Sequence, residues 1–381
     1  MKEKELYFLN TIRWVSAGLV AASHAFGLVF KQTAYSQSSD LASMAVTYGS
    51  KLGHGAVMLF FVISGYLVGG SLLQRLPNFD TRFYAISRFS RIYIALIPAL
   101  LLTVGLDGLA YVMAPDNPVY TTNWSGPINH NLFESYTPRN IAATLLSLES
   151  VIGMPMGSNG PLWSLGFEWL FYIMLPCIVL ALRRYDIVSK FYFLFPVSGI
   201  ALTLIAFGKR YVAVFWIIWM AGAYAKLIAR KGIVKNWMSV TGGWVALAAY
   251  VVSPVVNQRI TDPIIGIGFA LFLCNTDLLY ASLNRSGDRM LAGFSFSLYI
   301  VHLPIMAFLM MLFVQAGLTS TAGLEVGAKG VLIWMTLMVF SILIAWFFGH
   351  TFERRTDDFR RFLLSKLGGP QQIPSASATA S

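Results

Sequence analysis

Apolar runs of about membrane-crossing length recur along this chain, and they constrain its fold more than any other feature. A helix needs roughly 20 apolar residues to cross the hydrocarbon core of a bilayer. Inside that core every backbone N–H and C=O must be bonded within the protein, which leaves helices or a closed barrel. The runs predict ten spans, at about 8–30, 52–73, 92–114, 162–182, 190–207, 211–229, 237–253, 262–280, 290–315 and 329–351. A soluble core could not hide a chain that is 56% hydrophobic and only 12% charged. The expected class is all-α, a polytopic integral membrane protein of about ten transmembrane helices.

Charge sets the orientation. A net charge of +11 could suggest nucleic acid, but the basic residues cluster in short loops between apolar runs, which is a topology signal. Of 28 Lys and Arg, 19 fall on the side of the termini, 7 on the opposite side, and two, Arg13 and Lys226, inside spans. The bias predicts both termini in the cytoplasm. No cleavable leader is expected, because Met1 to Glu5 is short and charged and no small-residue cleavage site follows the first apolar run. Residues 1–355 read as one membrane domain and 356–381 as a cytoplasmic tail, disordered toward its small, polar end. The long outer connection, 115–161, contains IAATLLSLESVIG, too short to span and expected as an interfacial or re-entrant helix. Cys177 and Cys274 lie in apolar runs and imply no disulfide framework.

The first span carries two costly residues, Arg13 and His24, with ten residues between them. Eleven steps of about 100° bring them to one helix face, roughly 16 Å apart along the axis. Charged groups at membrane depth usually face a partner or an aqueous cavity. The bland reading is an Arg that snorkels to the interface and a His that packs.

Further motifs follow in order: GHGAVMLFFVISGYLVGG from 53, FYAISRFSRIYIALIP from 83, NGPLWSLGFEWLFYIMLP from 159, FSFSLYIVHLPI from 294 and HTFERR from 350. With Arg13 and His24 they make the chain resemble the membrane-bound acyltransferase 3 family, which O-acylates sugars and other hydroxyl compounds. The resemblance runs from Arg13 to about Glu353 and implies that His24 is catalytic. Many members have an acidic residue just before the FF pair. Met58 stands there in this chain, so no role for that acid carries over. Some members append an extracellular hydrolase-like domain, which is not expected here.

Acyl transfer to a hydroxyl needs a base, a stabiliser for the developing oxyanion, and a site for the donor. His24 is the expected base, or a transient acyl carrier. Glu168 lies at a similar depth and could orient the ring, as a carboxylate does in a catalytic triad. The donor implied by the resemblance is cytoplasmic acyl coenzyme A, with acetyl coenzyme A put first, in a cavity facing the cytoplasm. Its phosphates suit Arg13, Arg88 and Arg91, since guanidinium forks bind phosphate bidentately. Arg75 and Arg82 read as topology charge. Ser64, Trp163, Tyr299 and His302 are acceptor or tunnel candidates, each with a packing alternative. His54 is ambiguous, His130 and His350 read as incidental, and Asp107 and Asp277 as solvated. No metal-ligand spacing is visible, and no tightly bound cofactor is expected. The expected function is an O-acetyltransferase of a bacterial inner membrane acting on a glycan or glycolipid. The rival is a proton-coupled secondary transporter with His24 and Glu168 as relay, which predicts structural repeats that the sequence does not show.

Overall fold

The structure is a computed structural model, and it describes residues 3–30, 41–76, 79–122, 124, 128, 130–183, 210–275, 285–319 and 323–367. The described residues are helical apart from loops and one isolated bridge between Phe30 and Leu324. The main helices are α1 (Glu3–Val29), α2 (Leu41–Ser64), α3 (Thr81–Met113), α4 (Leu162–Arg183), α5 (Arg210–Lys231), α6 (Asn236–Val252), α7 (Gln258–Leu273), α8 (Arg285–Ala292), α9 (Ser295–Gln315), α10 (Ala328–Thr351) and α11 (Thr356–Leu367).

Seven segments among the described residues are helical, long and apolar enough to cross a membrane. They match the expected spans that begin at 8, 52, 92, 162, 211, 290 and 329. The runs at 237–253 and 262–280 fall on α6 and α7, of only 17 and 16 residues, which pack against one another. The expected span 190–207, Asp277 and residues 368–381 lie outside the described residues. α3 starts earlier than the apolar run suggests, because Asp80 caps it by accepting a hydrogen bond from the Phe83 N–H at 2.9 Å. Its 33 residues extend about 50 Å, so Arg88 and Arg91 belong to the helix and not to a loop. The first part of the expected tail is also helix: α11 packs on α3.

α1 is central, packing on α2, α8, α9 and α10. Its small residues Ala17, Ala21 and Ala25 are buried and allow close approach. At the crossing with α2, the Ser23 hydroxyl donates to the Ser50 carbonyl at 2.6 Å and accepts from the Gly53 N–H at 3.1 Å. α2 runs into a π-helical turn, Gly65–Gly69, where it meets α5. A Cβ on Gly65 would lie 1.8 Å from the Trp219 carbonyl oxygen, so only glycine fits there. Leu101 and Val112 of α3, Trp244 of α6, and Leu332 and Leu343 of α10 face outward, as lipid-contacting residues do.

The described residues of the 114–161 segment pack against α3, α4 and α9. IAATLLSLESVIG forms parts of two short helices, Pro138–Leu145 and Glu149–Ile152. Asp107 corrects the expectation of a solvated carboxylate. It is 1% exposed and accepts from the Tyr136 hydroxyl (2.6 Å), the Ser158 N–H (2.8 Å) and the Ser158 hydroxyl (2.6 Å). These bonds offset the cost of burying the charge and pin the segment to α3.

Candidate active site

Two cavities lie along α1, and they divide the residues singled out in the sequence. The first, of about 480 Å³, is lined by Arg13, Ser64, Arg88, Arg91, Glu168, Tyr172, Arg289, Tyr299, Glu353 and Arg354, among others. The second, of about 570 Å³, is lined by His24, Lys51, His54, His130, Trp163, Gln258 and Tyr299, among others. Both volumes suit a small-molecule site, which typically spans roughly 300–1,000 Å³.

The first cavity is electropositive, with five arginines against two carboxylates on its wall. A low-dielectric cleft of one sign concentrates counter-charged ligands. The arginines differ in what they already hold. Arg91 is paired with Glu353 at 2.8 Å, and Glu353 also accepts from the Ser297 N–H and hydroxyl at 3.2 and 2.9 Å. Arg289 donates to the Tyr7 hydroxyl at 2.7 Å. Arg88 lies about 6 Å from the rings of Tyr84 and Tyr172, and its buried Nε has no hydrogen-bond partner among the described residues. Arg13 has no hydrogen bond or ion pair within 4 Å among the described residues. Arg13 and Arg88 are thus the arginines with donors to spare, whereas Arg91 is largely committed to Glu353.

Glu168 and Ser64 belong to one polar chain in this cavity. The Trp219 indole N–H donates to Ser64 Oγ at 3.0 Å. Ser64 Oγ and the Tyr172 hydroxyl lie 3.1 Å apart, and Tyr172 donates to Glu168 Oε1. Since Tyr172 spends its proton on the carboxylate, Ser64 is the donor to Tyr172. Ser64 is therefore held by two groups, Trp219 and Tyr172, at the junction of α2, α4 and α5. Tyr172, four residues after Glu168 on the same helix face, was legible from spacing and was missed.

The second cavity holds the histidines. His24 Nδ1 and His302 Nε2 are 2.8 Å apart, with the rings stacked 13° from parallel. His302 is fully buried, and its Nδ1 donates to the Leu298 carbonyl at 2.9 Å. In the neutral ring this fixes His302 Nε2 as an acceptor, so His24 Nδ1–H is the donor. His24 Nε2 is then left with a lone pair in a cavity wall. His302 does not line the cavity but orients the ring that does.

The geometry does not bring His24 to Glu168. No hydrogen bond joins them, and they line different cavities. Tyr299 lines both. Its hydroxyl donates to the Pro161 carbonyl at 2.7 Å and accepts from Ser164 at 2.6 Å, and its ring packs by Phe60. Trp163 is not merely an interfacial aromatic, since it stacks on His54 within the histidine cavity, ring centroids 5.9 Å apart. Among the described residues His350 bonds only the Trp346 carbonyl of its own helix. Among the described residues no cluster of three or more His, Cys, Asp or Glu could hold a metal ion.

A family model described as an acyltransferase domain matches residues 6–350. The acyltransferase MdmB of Streptomyces mycarofaciens is 25% identical over 329 residues, which cover 79% of each chain. No solved structure matches the chain. The match covers the second cavity, all of the first but Glu353 and Arg354, and nearly every helix: the chain belongs to the acyltransferase 3 family.

Proposed function

We propose that this acyltransferase is an O-acetyltransferase of a bacterial inner membrane, moving acetyl from acetyl coenzyme A to a hydroxyl of a glycan or glycolipid. The observation that carries the reading is the bare Nε2 of His24 in one cavity, with unneutralised Arg13 and Arg88 in a second cavity on the same helix. The arginine cavity takes the donor's phosphates from the cytoplasmic side, where both termini lie. The separation of roughly 16 Å along α1 is of the order of the extended pantetheine arm.

His24 Nε2 accepts the hydroxyl proton as the acceptor oxygen attacks the thioester carbon. The carbon–sulfur bond breaks, and the coenzyme A thiolate leaves and takes up a proton. The same lone pair could instead attack the thioester and carry the acyl group to the acceptor. Either route needs His302 to hold the ring. Tyr299 stands between the donor cavity and His24.

The test is coenzyme A release from acetyl coenzyme A by purified wild type and His24→Ala, with donor binding measured in parallel. The expected result is lost turnover in His24→Ala with donor affinity kept. Normal turnover in that variant would remove His24 from the chemistry.

A further inference from the structure

A second histidine in the His24 cavity has its own buried orienting group. His54 Nε2 lies 2.9 Å from Asp262 Oδ2. Asp262, on α7, is 2% exposed, and its other oxygen is buried without a hydrogen-bond partner among the described residues. A buried carboxylate so poorly satisfied is costly as a packing element. His54 is half-buried, stacked on Trp163, and lines the cavity with His24. The α1–α2 crossing places the two rings: Ser23, next to His24, bonds Gly53, next to His54.

We infer that His54, oriented by Asp262, positions the acceptor by accepting a hydrogen bond from one of its hydroxyls at Nδ1. This rests on the acyl-transfer reading above. A carboxylate oxygen accepts, so Nε2–H is the donor, and with the ring's one proton placed there Nδ1 presents its lone pair to the cavity. The two histidines then divide the work. His24 takes a proton at Nε2 during transfer, and His54 holds the acceptor beside it. Asp262 stands in the second turn of α7, a helix of 16 residues that packs against α2 and α6. A carboxylate fixing a histidine tautomer is the logic of the catalytic triad, used here for placement.

The test uses membranes carrying wild type, His54→Phe, His54→Asn, Asp262→Asn or His24→Ala, given labelled acetyl coenzyme A and graded n-octyl β-D-glucoside as the hydroxyl probe. The inference expects at least a tenfold rise in glycoside KM for His54→Phe and Asp262→Asn, with donor KM within twofold. His54→Asn, whose amide can stand near the Nδ1 position, should recover part of the loss. A second arm needs no acceptor: carbethoxylation of His54 by diethyl pyrocarbonate, read by peptide mass against His350. Asp262→Asn should slow it at least fivefold, because the amide, whichever of its atoms faces Nε2, removes the negative charge that makes the cavity-facing Nδ1 nucleophilic. Unchanged glycoside KM in both variants, or an unchanged carbethoxylation rate, overturns the inference. Transfer that needs His24 but ignores His54 and Asp262 leaves acyl transfer standing without it. No coenzyme A release by wild type, to glycoside or to water, overturns both.

Discussion

His302 holds His24 as a carboxylate would in a triad, but with a neutral ring: Nε2 meets His24 Nδ1 at 2.8 Å, while its own Nδ1 is tied to the Leu298 carbonyl. General base catalysis is worth about 10²–10⁴-fold, so His24→Ala should lose turnover on that scale. His302→Phe keeps ring volume but removes the acceptor nitrogen, freeing His24 to change tautomer. The expected outcome is a kcat reduced about tenfold to a hundredfold with donor KM unchanged, read by single-turnover label transfer. A kcat equal to wild type would show that the stacked pair is packing alone.

Arg13 and Arg88 should matter more for the donor than Arg91. Their donors are unspent, whereas Arg91 is paired with Glu353. A hydrogen bond to a charged group contributes about 1.5–3 kcal/mol, a factor of roughly ten to a hundredfold in affinity. Titration of coenzyme A into Arg13→Ala, Arg88→Ala and Arg91→Ala should show that loss at low salt for the first two, with the gap from wild type shrinking as salt screens the contact. An equal loss in Arg91→Ala would contradict the ranking.

Glu353→Ala should act mainly on stability. The carboxylate is 5% exposed and ties Arg91 to the start of α9 through Ser297. Breaking a buried ion pair costs about 3–5 kcal/mol, and the partial exposure of Arg91 lowers the expectation to about 1–3. Thermal unfolding in detergent should show a lower Tm, with the double variant Glu353→Ala and Arg91→Ala recovering part of it.

Much of this was legible because membrane insertion makes the sequence speak in long runs. Apolar length located seven helices, and the spacing of Arg88 and Arg91 located one face of α3. What was not legible was pairing across helices. Similar depth suggested Glu168 beside His24, but depth does not fix the rotation of one helix against another, and Tyr172 takes the carboxylate instead. His302 reads from sequence as a tunnel or acceptor residue or, equally, as a hydrogen-bonded structural histidine, and its 278-residue separation from His24 conceals their contact. Asp107 differs for a similar reason: its partners lie in the 114–161 segment, 29 and 51 residues away.

Gly65 and Gly18 make a matched pair for testing helix approach. A Cβ at Gly65 would fall 1.8 Å from the Trp219 carbonyl oxygen, whereas one at Gly18 meets nothing within 4 Å. Gly65→Ala should push α5 from α2 and break the Trp219 bond to Ser64, giving little folded protein by size-exclusion after solubilisation. Gly18→Ala should be neutral or raise Tm slightly, as alanine is favoured over glycine in a helix interior by about 1 kcal/mol. The same yield from both would show that the α2–α5 contact is not as close as described.

Glu149 gives the protein a pH response outside the spans. Burial pushes its carboxyl up to about 8 from the ordinary value near 4.5, and one of its oxygens has no hydrogen-bond partner among the described residues. An acid whose folded pKa is raised binds more protons folded than unfolded between the two values. Stability therefore falls as pH rises through that window, from about 4.5 to about 8, and the protonated form is the favoured one below it. Glu149→Gln keeps the shape and removes the charge. Its Tm should fall less than the wild-type Tm between pH 5 and pH 8, with the two proteins nearest at the acid end, as measured by differential scanning fluorimetry in detergent. Parallel curves across that range would mean the carboxyl finds solvent or a cation that its buried position in the 114–161 segment does not show.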